Sequence, residues 1–431
     1  MPKRVSFLFL VFVLVLLIGC DFENIFSSPK SEENQEDNTA PTTTSPTGTQ
    51  GGYKIVDTDQ QKAYNNTSEI DKPTSGQPFY GQDANYLSNA PSYTKNGNGT
   101  ITDNITGLMW QASPNTDNDN DIDSDDKKSF TDATSGAKTL ILAGYSDWRL
   151  PTIKELYSLI MFSGEDVSPT ATNTSGNKPF INTDFFDFAY GDIAAGERII
   201  DAQFVSATEY VSTTMNGDAT VFGVNFADGR IKGYPKTMRG SAKMFYVLYV
   251  RGNENYGKNS FKNNGDNTIS DEATGLMWQK ADNGQAIDWS SALSYCENLS
   301  LAGHGDWRLP NAKELQSIVD YNRSPATTTS AAIDPLFDCS SITNEAGKAD
   351  FPNYWTSTTH ANGQGGTNAV YISFGRAMGK MNGTYMDVHG AGSQRSDPKS
   401  GNSSDYPKTF GPQGDVQRVF NYVRAVRNLA R

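Results

Sequence analysis

The sequence predicts an α+β protein in which one domain is written twice, each copy carrying two helices packed on a mostly antiparallel sheet. Three observations predict it. First, TGLMWQ at 106–111 recurs at 274–279, a lag of 168, and DWRLP at 147–151 recurs at 306–310, a lag of 159. Second, each copy passes from strand-like alternation to helical spacing and back to strands. Third, each copy spans roughly 170 residues, enough for a core of its own and too long for a solenoid unit.

At the N-terminus, Lys3 and Arg4 precede an apolar run from Phe7 to Ile18 that ends in Gly19 and Cys20. The run is shorter than the roughly 20 residues a membrane-spanning helix needs, so 1–19 reads as a signal peptide. Leu17-Ile18-Gly19-Cys20 looks like a bacterial lipobox, which leaves Cys20 as the lipidated first residue of an exported, membrane-anchored protein. Either membrane of a cell envelope accepts such an anchor. Residues 20–77 are polar, include PTTTSPTGTQGG at 41–52, and read as a flexible tether. The two copies are then assigned to 78–252 and 253–431.

Each copy opens with a hairpin pattern, NGTITDNITGLMWQ at 98–111 and DNTISDEATGLMWQ at 266–279, in which apolar and polar residues alternate on both sides of a turn. A helix follows. In copy two, Trp289, Ala292, Leu293, Cys296 and Leu299 fall at helical spacing behind the N-cap candidate Asp288; in copy one, Phe130, Ala133, Ala137 and Leu140 follow Ser129. Between hairpin and helix, copy one has an extra acidic stretch, which accounts for the nine-residue difference between the two lags.

Pro151 and Pro310 stop any helix through DWRL, and Thr152 and Asn311 stand three residues before Glu155 and Glu314, the spacing of a capping box. Second helices are therefore expected, with Leu156, Leu159, Ile160 and Leu315, Ile318, Val319 as their buried stripes. Trp148 and Trp307 read as core aromatics. Arg149 and Arg308 sit beside apolar residues, where a guanidinium needs a carboxylate partner; the adjacent Asp147 and Asp306 are candidates for a structural ion pair, with ligand binding as the alternative. Strands follow at EYVSTT and TVFGVNFADGR in copy one and at NYWTSTT and AVYISFGR in copy two. The copies close on FYVLYVRG and FNYVRAVRN.

A net charge of -13 leaves no general basic surface for nucleic acid. His304, His360 and His389 are scattered, and neither H-E-x-x-H nor G-x-S-x-G nor a phosphate-binding Gly-rich loop occurs, so no enzyme and no cofactor are expected. The acidic run DNDNDIDSDD, Asp117 to Asp126, carries alternating oxygen ligands for calcium, but Ile122 stands where an EF-hand needs Gly and Lys128 where it needs Glu. It reads as a solvated loop, with a calcium site as the lesser alternative.

The series TGLMWQ, W-x-x-A-x-x-Y-C-x-x-L, LAG-x-x-DWRLP-x-x-KEL, FGR and YVR-x-VR resembles the family named after the C-terminal domain of the Legionella collagen-like protein. The resemblance covers nearly all of both copies and implies two tandem C-type-lectin-like domains. The collagen-like member is an adhesin whose domain recognises sulfated glycosaminoglycans, so a binding or adhesion role at an envelope or host surface, by way of a glycan, is implied. A structural envelope protein without a small ligand is the alternative, and an enzyme on a related fold comes after it. Where members carry a Cys in the last strand this chain has Tyr249 and Ala425, so Cys296 lacks the partner the resemblance implies, and a pairing with Cys339 and two unpaired thiols both stay open. The Glu-Pro-Asn and Trp-Asn-Asp triplets of calcium-dependent lectins are absent, and FPNYW at 351–355 lacks the leading acid, so calcium-mediated sugar binding is not implied.

Folds of this class place ligand loops before the closing strand. Copy two carries a long polar insertion there, 382–418, and by resemblance Asp387, Gln394, Arg395, Asp397, Gln413 and Asp415 are its candidate ligand-binding residues, with an internally hydrogen-bonded loop as the alternative. Copy one lacks the segment.

Overall fold

The computed structural model describes residues 52–215 and 217–429. Cys20 and the signal peptide lie outside the described residues.

Copy one contains β1 (Tyr93–Lys95), β2 (Thr100–Asp103), β3 (Leu108–Gln111), α1 (Phe130–Thr139), α2 (Ile153–Ser158), β4 (Gln203–Thr214), β5 (Asp218–Asn225), β6 (Arg230–Pro235) and β7 (Val250–Gly252). Copy two repeats the order as β8 (Phe261–Asn263), β9 (Thr268–Asp271), β10 (Leu276–Gln279), α3 (Trp289–Glu297), α4 (Ala312–Ser317), β11 (Asn353–Asn362), β12 (Gly365–Ser373), β13 (Gln394–Pro398) and β14 (Val426–Asn428). All pairings among these strands are antiparallel, as the α+β assignment expects. In each copy the closing strand returns to the opening hairpin in the same register, Val250 opposite Trp110 and Val426 opposite Trp278.

The predicted caps form. Ser129 accepts from Asp132 N and Asp288 from Ser291 N, and Thr152 with Glu155 and Asn311 with Glu314 complete reciprocal capping boxes. The second helices are short, six residues each, and end at Ser158 and Ser317, although the whole predicted stripe is buried. A tertiary contact finishes them. Lys154 Nζ donates to Ser317 O at 2.6 Å and Lys313 Nζ to Ser158 O at 2.9 Å, so the lysine of each K-E-L triplet satisfies a terminal carbonyl of the other copy's helix. Both lysines are held at about 8, below the ordinary amine range, by burial.

Trp148 and Trp307 are core residues, 4% and 1% exposed. The arginines do form structural pairs, but with partners other than the adjacent aspartates. Arg149 grips Glu155 through both terminal nitrogens at 2.6 Å, and Arg308 grips Glu314 at 2.6 and 2.7 Å. Asp147 and Asp306 instead receive Arg251 and Arg427 of the closing strands, each at 2.7 Å. The capping glutamate is the carboxylate that the turn into the next helix brings back to Arg149, while the closing strand, bridged to Arg149 at Val250, carries Arg251 to Asp147.

The copies are joined more closely than tandem repetition requires. Six strands make one sheet in the order β11–β12–β13–β6–β5–β4, three from each copy in mirrored succession, joined where Gln394 of β13 meets Ile231 of β6. Beneath it one hydrophobic core runs through both copies, from Trp110, Leu156 and Phe204 to Trp278, Leu315 and Ile372. Each copy keeps a smaller core of its own, around Trp148 and around Trp307.

The tether assignment for 20–77 is corrected from Gly52 onward. Tyr53, Val56, Ala63 and Tyr64 are buried, Tyr53 lies against Tyr256 with ring centroids 4.9 Å apart, and Ala63–Tyr64 pairs with Glu69–Ile70. This strap binds both copies: Gln60 Nε2 donates to Phe162 O at 3.3 Å and to Thr359 O at 2.7 Å. Its apolar residues have no periodicity because it packs residue by residue between two finished surfaces.

Cys296 and Cys339 are both free thiols. Cys296 and Ala425 share the copy-two core, whereas copy one swaps large for small, with Tyr249 on the strand facing Gly136 and Ala137 on α1. A Cβ on Gly136 would lie 2.5 Å from the Tyr249 hydroxyl, which donates to Ala133 O at 2.9 Å. Gly136→Ala is therefore expected to destabilise by about 1–3 kcal/mol through overpacking, although alanine ordinarily favours a helix by about 1 kcal/mol. Adding Tyr249→Phe should restore the urea midpoint; a stabilised single variant would refute the fit.

Candidate functional site

On the joining strands, Asp228, Arg230, Lys232 and Tyr234 step by two along β6 and the turn before it, so their side chains share one face while Ile231 enters the common core. Across the seam β13 contributes Arg395. Together they line a cleft of about 710 Å³, closed on its far side by the hairpin after Phe410, with Gln413 in its turn and Asp415 at the start of the strand beyond. The cleft thus takes its floor from both copies and one wall from the copy-two insertion.

The electrostatics are paired almost throughout. Arg230 holds Asp166 by two bonds of 2.9 and 2.6 Å, Lys232 reaches Asp228 at 2.6 Å, and Arg395 bonds Asp415, whose other oxygen lies 2.8 Å from His389 Nε2. Burial would raise Asp228, but Lys232 and Arg230 outweigh it and keep the carboxyl below its usual range. Burial lowers Lys232 to about 8 despite Asp228. Hydrogen-bonding capacity is left over: Arg395 Nη1, Arg230 Nε, Asp228 Oδ1 and the Tyr234 hydroxyl have no protein partner. Buried donors and acceptors left unmatched cost free energy, and these four atoms lie closed off from solvent beneath the cleft floor. Tyr371 and Phe410 add aromatic surface.

Of the six candidate residues from the insertion, the fold brings Arg395, Gln413 and Asp415 to this cleft. It does not bring the other three, and the reading of them as loop ligands is corrected. Gln394 and Asp397 are fully buried in β13, a strand of the central sheet. Asp397 accepts from Asn421 at 3.0 Å, and burial pushes it up to about 7. Asp387 accepts the Tyr210 hydroxyl at 2.9 Å and Gly390 N at 2.8 Å, which fastens the insertion to copy one. The insertion is less a loop than the third strand of its half-sheet plus a separate hairpin system.

Asp228, Arg230, Lys232 and Tyr234 were not singled out by the sequence reading. The available signal was DGRIKGY at 228–234, where a strand pattern carries charge at every second position. In the acidic run, carboxylates bond backbone N–H groups two residues on, as Asp123 does with Asp125 N at 2.7 Å, while Asp126 takes Thr116 N. Among the described residues no group of three or more ligating side chains converges to hold a metal.

Fold and cleft together define an internally duplicated α+β protein whose two repeats share one sheet and one core. Residues 99–251 and 267–389 each match the family model of the Lcl C-terminal domain, and the chain belongs to that family as a tandem repeat. The second match ends at His389, so β13 and the hairpin bearing Gln413 and Asp415 lie beyond it. No curated protein and no solved structure matches the chain. No helix among the described residues is long and apolar enough to cross a membrane.

Proposed function

We propose that this protein is a lipid-anchored, extracytoplasmic binding protein of two C-type-lectin-like modules that takes a glycan in the seam cleft. Family membership supports a surface or secreted setting, and the pairing of opening and closing strands in each copy fits the proposed module. The observation that carries the reading is the row of polar and charged side chains, Asp228, Arg230, Lys232, Arg395 and Gln413, lining one cleft with the Tyr371 and Phe410 rings. A saccharide suits such a surface: its hydroxyls both donate and accept, beside C–H faces that stack on rings.

A glycan array probed with the full-length protein tests this. Specific retention is expected, reduced at least ~tenfold by Gln413→Ala, whose side chain lies on the hairpin outside both cores, and by Arg395→Gln. Because Asp166, Asp228 and Asp415 already balance Arg230, Lys232 and Arg395, retention should change little with salt. An array without specific retention would sink the proposal in favour of a structural envelope protein. For the anchor, Cys20→Ser is expected to abolish labelling by an acyl probe and release the protein from membranes; equal label in both forms would refute lipidation.

A further inference from the structure

The two copies differ in how much of one groove is covered. The strand and helix residues that build it correspond one to one. Pro151 O accepts Ala207 N at 2.7 Å and Pro310 O accepts Ser357 N at 2.8 Å; Ile153 N donates to Thr208 Oγ1 and Ala312 N to Thr358 Oγ1, both at 2.9 Å. Thr208, Glu209 and Val211 therefore occupy the places of Thr358, Thr359 and Ala361, as Arg149 occupies that of Arg308.

In copy two this groove is filled by the chain's own strap together with the 3-10 turn that follows it, Asp83–Asn85. Asp83 takes the Thr358 hydroxyl, Gln60 exchanges two 2.7 Å bonds with the Thr359 backbone, and the Tyr86 ring lies 5.5 Å from the Arg308 guanidinium. Thr358 and Thr359 are fully buried as a result. Among the described residues copy one has no such cover. Its corresponding segment is the short linker after Gly252, which reaches no further than Lys154, receiving its amine on Gly257 O and Asn259 Oδ1. Arg149, Thr152, Thr208, Glu209 and Val211 line an open cleft of about 1020 Å³, with Val211 38% exposed.

We propose that the copy-one groove is a docking site for a Lys- or Arg-bearing peptide segment of a partner protein. The cover on copy two shows what fits: a polypeptide with one short 3-10 turn, Asp83–Asn85, whose polar side chains meet the threonine that accepts the helix's first N–H. Charge selects the sign. Glu254, Asp320 and Asp334 stand at the cleft without an ion pair among the described residues, against Lys258 and a buried Lys154 whose amine is committed to Ser317, Gly257 and Asn259; Glu209, in the place of Thr359, pairs with Lys236, and Arg149 pairs with Glu155. Residues 21–51 carry six acids and one lysine, so the chain's own N-terminal segment, or that of a second copy, has the wrong charge for this groove.

The test is an array of immobilised synthetic peptides graded from acidic to basic, probed with the full-length protein. Retention is expected to rise with Lys and Arg content, to weaken at raised salt, and to fall about tenfold in the Glu254→Lys, Asp334→Lys double variant, in which no ion pair of the fold is broken. Gln413→Ala should leave peptide retention unchanged, which separates this groove from the glycan cleft. Retention indifferent to peptide charge, or undiminished by the double reversal, would overturn the proposal. So would preferential retention of a peptide copying residues 21–48, which would make the groove a seat for the chain's own leader.

Discussion

Cutting the chain between Gly252 and Asn253 is expected to leave two fragments, 52–252 and 253–431, neither of which melts cooperatively alone. Repetition by itself predicts the opposite, because each fragment holds a full set of helices and strands. Three features of the structure argue against autonomy. The cut would expose β6 and β13 as new sheet edges. It would divide a core that joins Trp110 and Leu156 to Trp278 and Leu315. It would also strand Lys154 and Lys313, each buried and satisfied by a carbonyl of the other copy's helix. Circular dichroism melts of each fragment and of the two co-expressed, with residues 52–77 retained on the first, check this. A steep, reversible transition in either isolated fragment would show that the smaller core of that copy suffices.

Arg308→Met is expected to cost about 3–5 kcal/mol, because it leaves the Glu314 carboxylate buried without its cation. The corresponding Arg149→Met should cost nearer ~1.5 kcal/mol, about the worth of one charge-assisted hydrogen bond. The two arginines have the same sequence context and the same bidentate glutamate. They differ in cover: the Arg308 side chain is 9% exposed beneath Tyr86, at the end of the turn that follows the strap, and the Arg149 side chain is 29% exposed at an open cleft. Both glutamates are themselves buried, Glu155 2% and Glu314 6% exposed, so the difference rests on the arginines: removing Arg149 opens Glu155 toward the cleft, whereas removing Arg308 leaves Glu314 under cover. Urea unfolding of both variants measures the difference, and equal losses would refute the role given to the strap.

Much of the local architecture was legible because it is decided by neighbours in the chain. Pro310, Asn311 and Glu314 place a helix start by stereochemistry and capping alone, and the repeated hairpins announce themselves by alternation and turn residues. The candidate site was half legible. Arg395, Gln413 and Asp415 were reached through the position of the insertion, but Asp228, Arg230 and Lys232 belong to the other copy and become site residues only when β6 and β13 pair.

By itself the sequence determined that one α+β domain is present twice, where its helices begin, which aromatic and aliphatic residues are core, and that the chain belongs to one family. Only the tertiary structure decided that the two copies share a sheet and a core, that 52–77 is a strap instead of a tether, and that Lys154 and Lys313 cap helices across the seam. The physical reason is range. Caps, turns and amphipathic stripes are interactions between residues a few positions apart, so their spacing is written in the chain. A salt bridge such as Arg149 with Glu155 depends on how a strand and a turn aim two side chains, and the Gln394–Ile231 joint depends on surfaces that exist only after both copies have folded. No spacing records a partner that another part of the fold must first bring near.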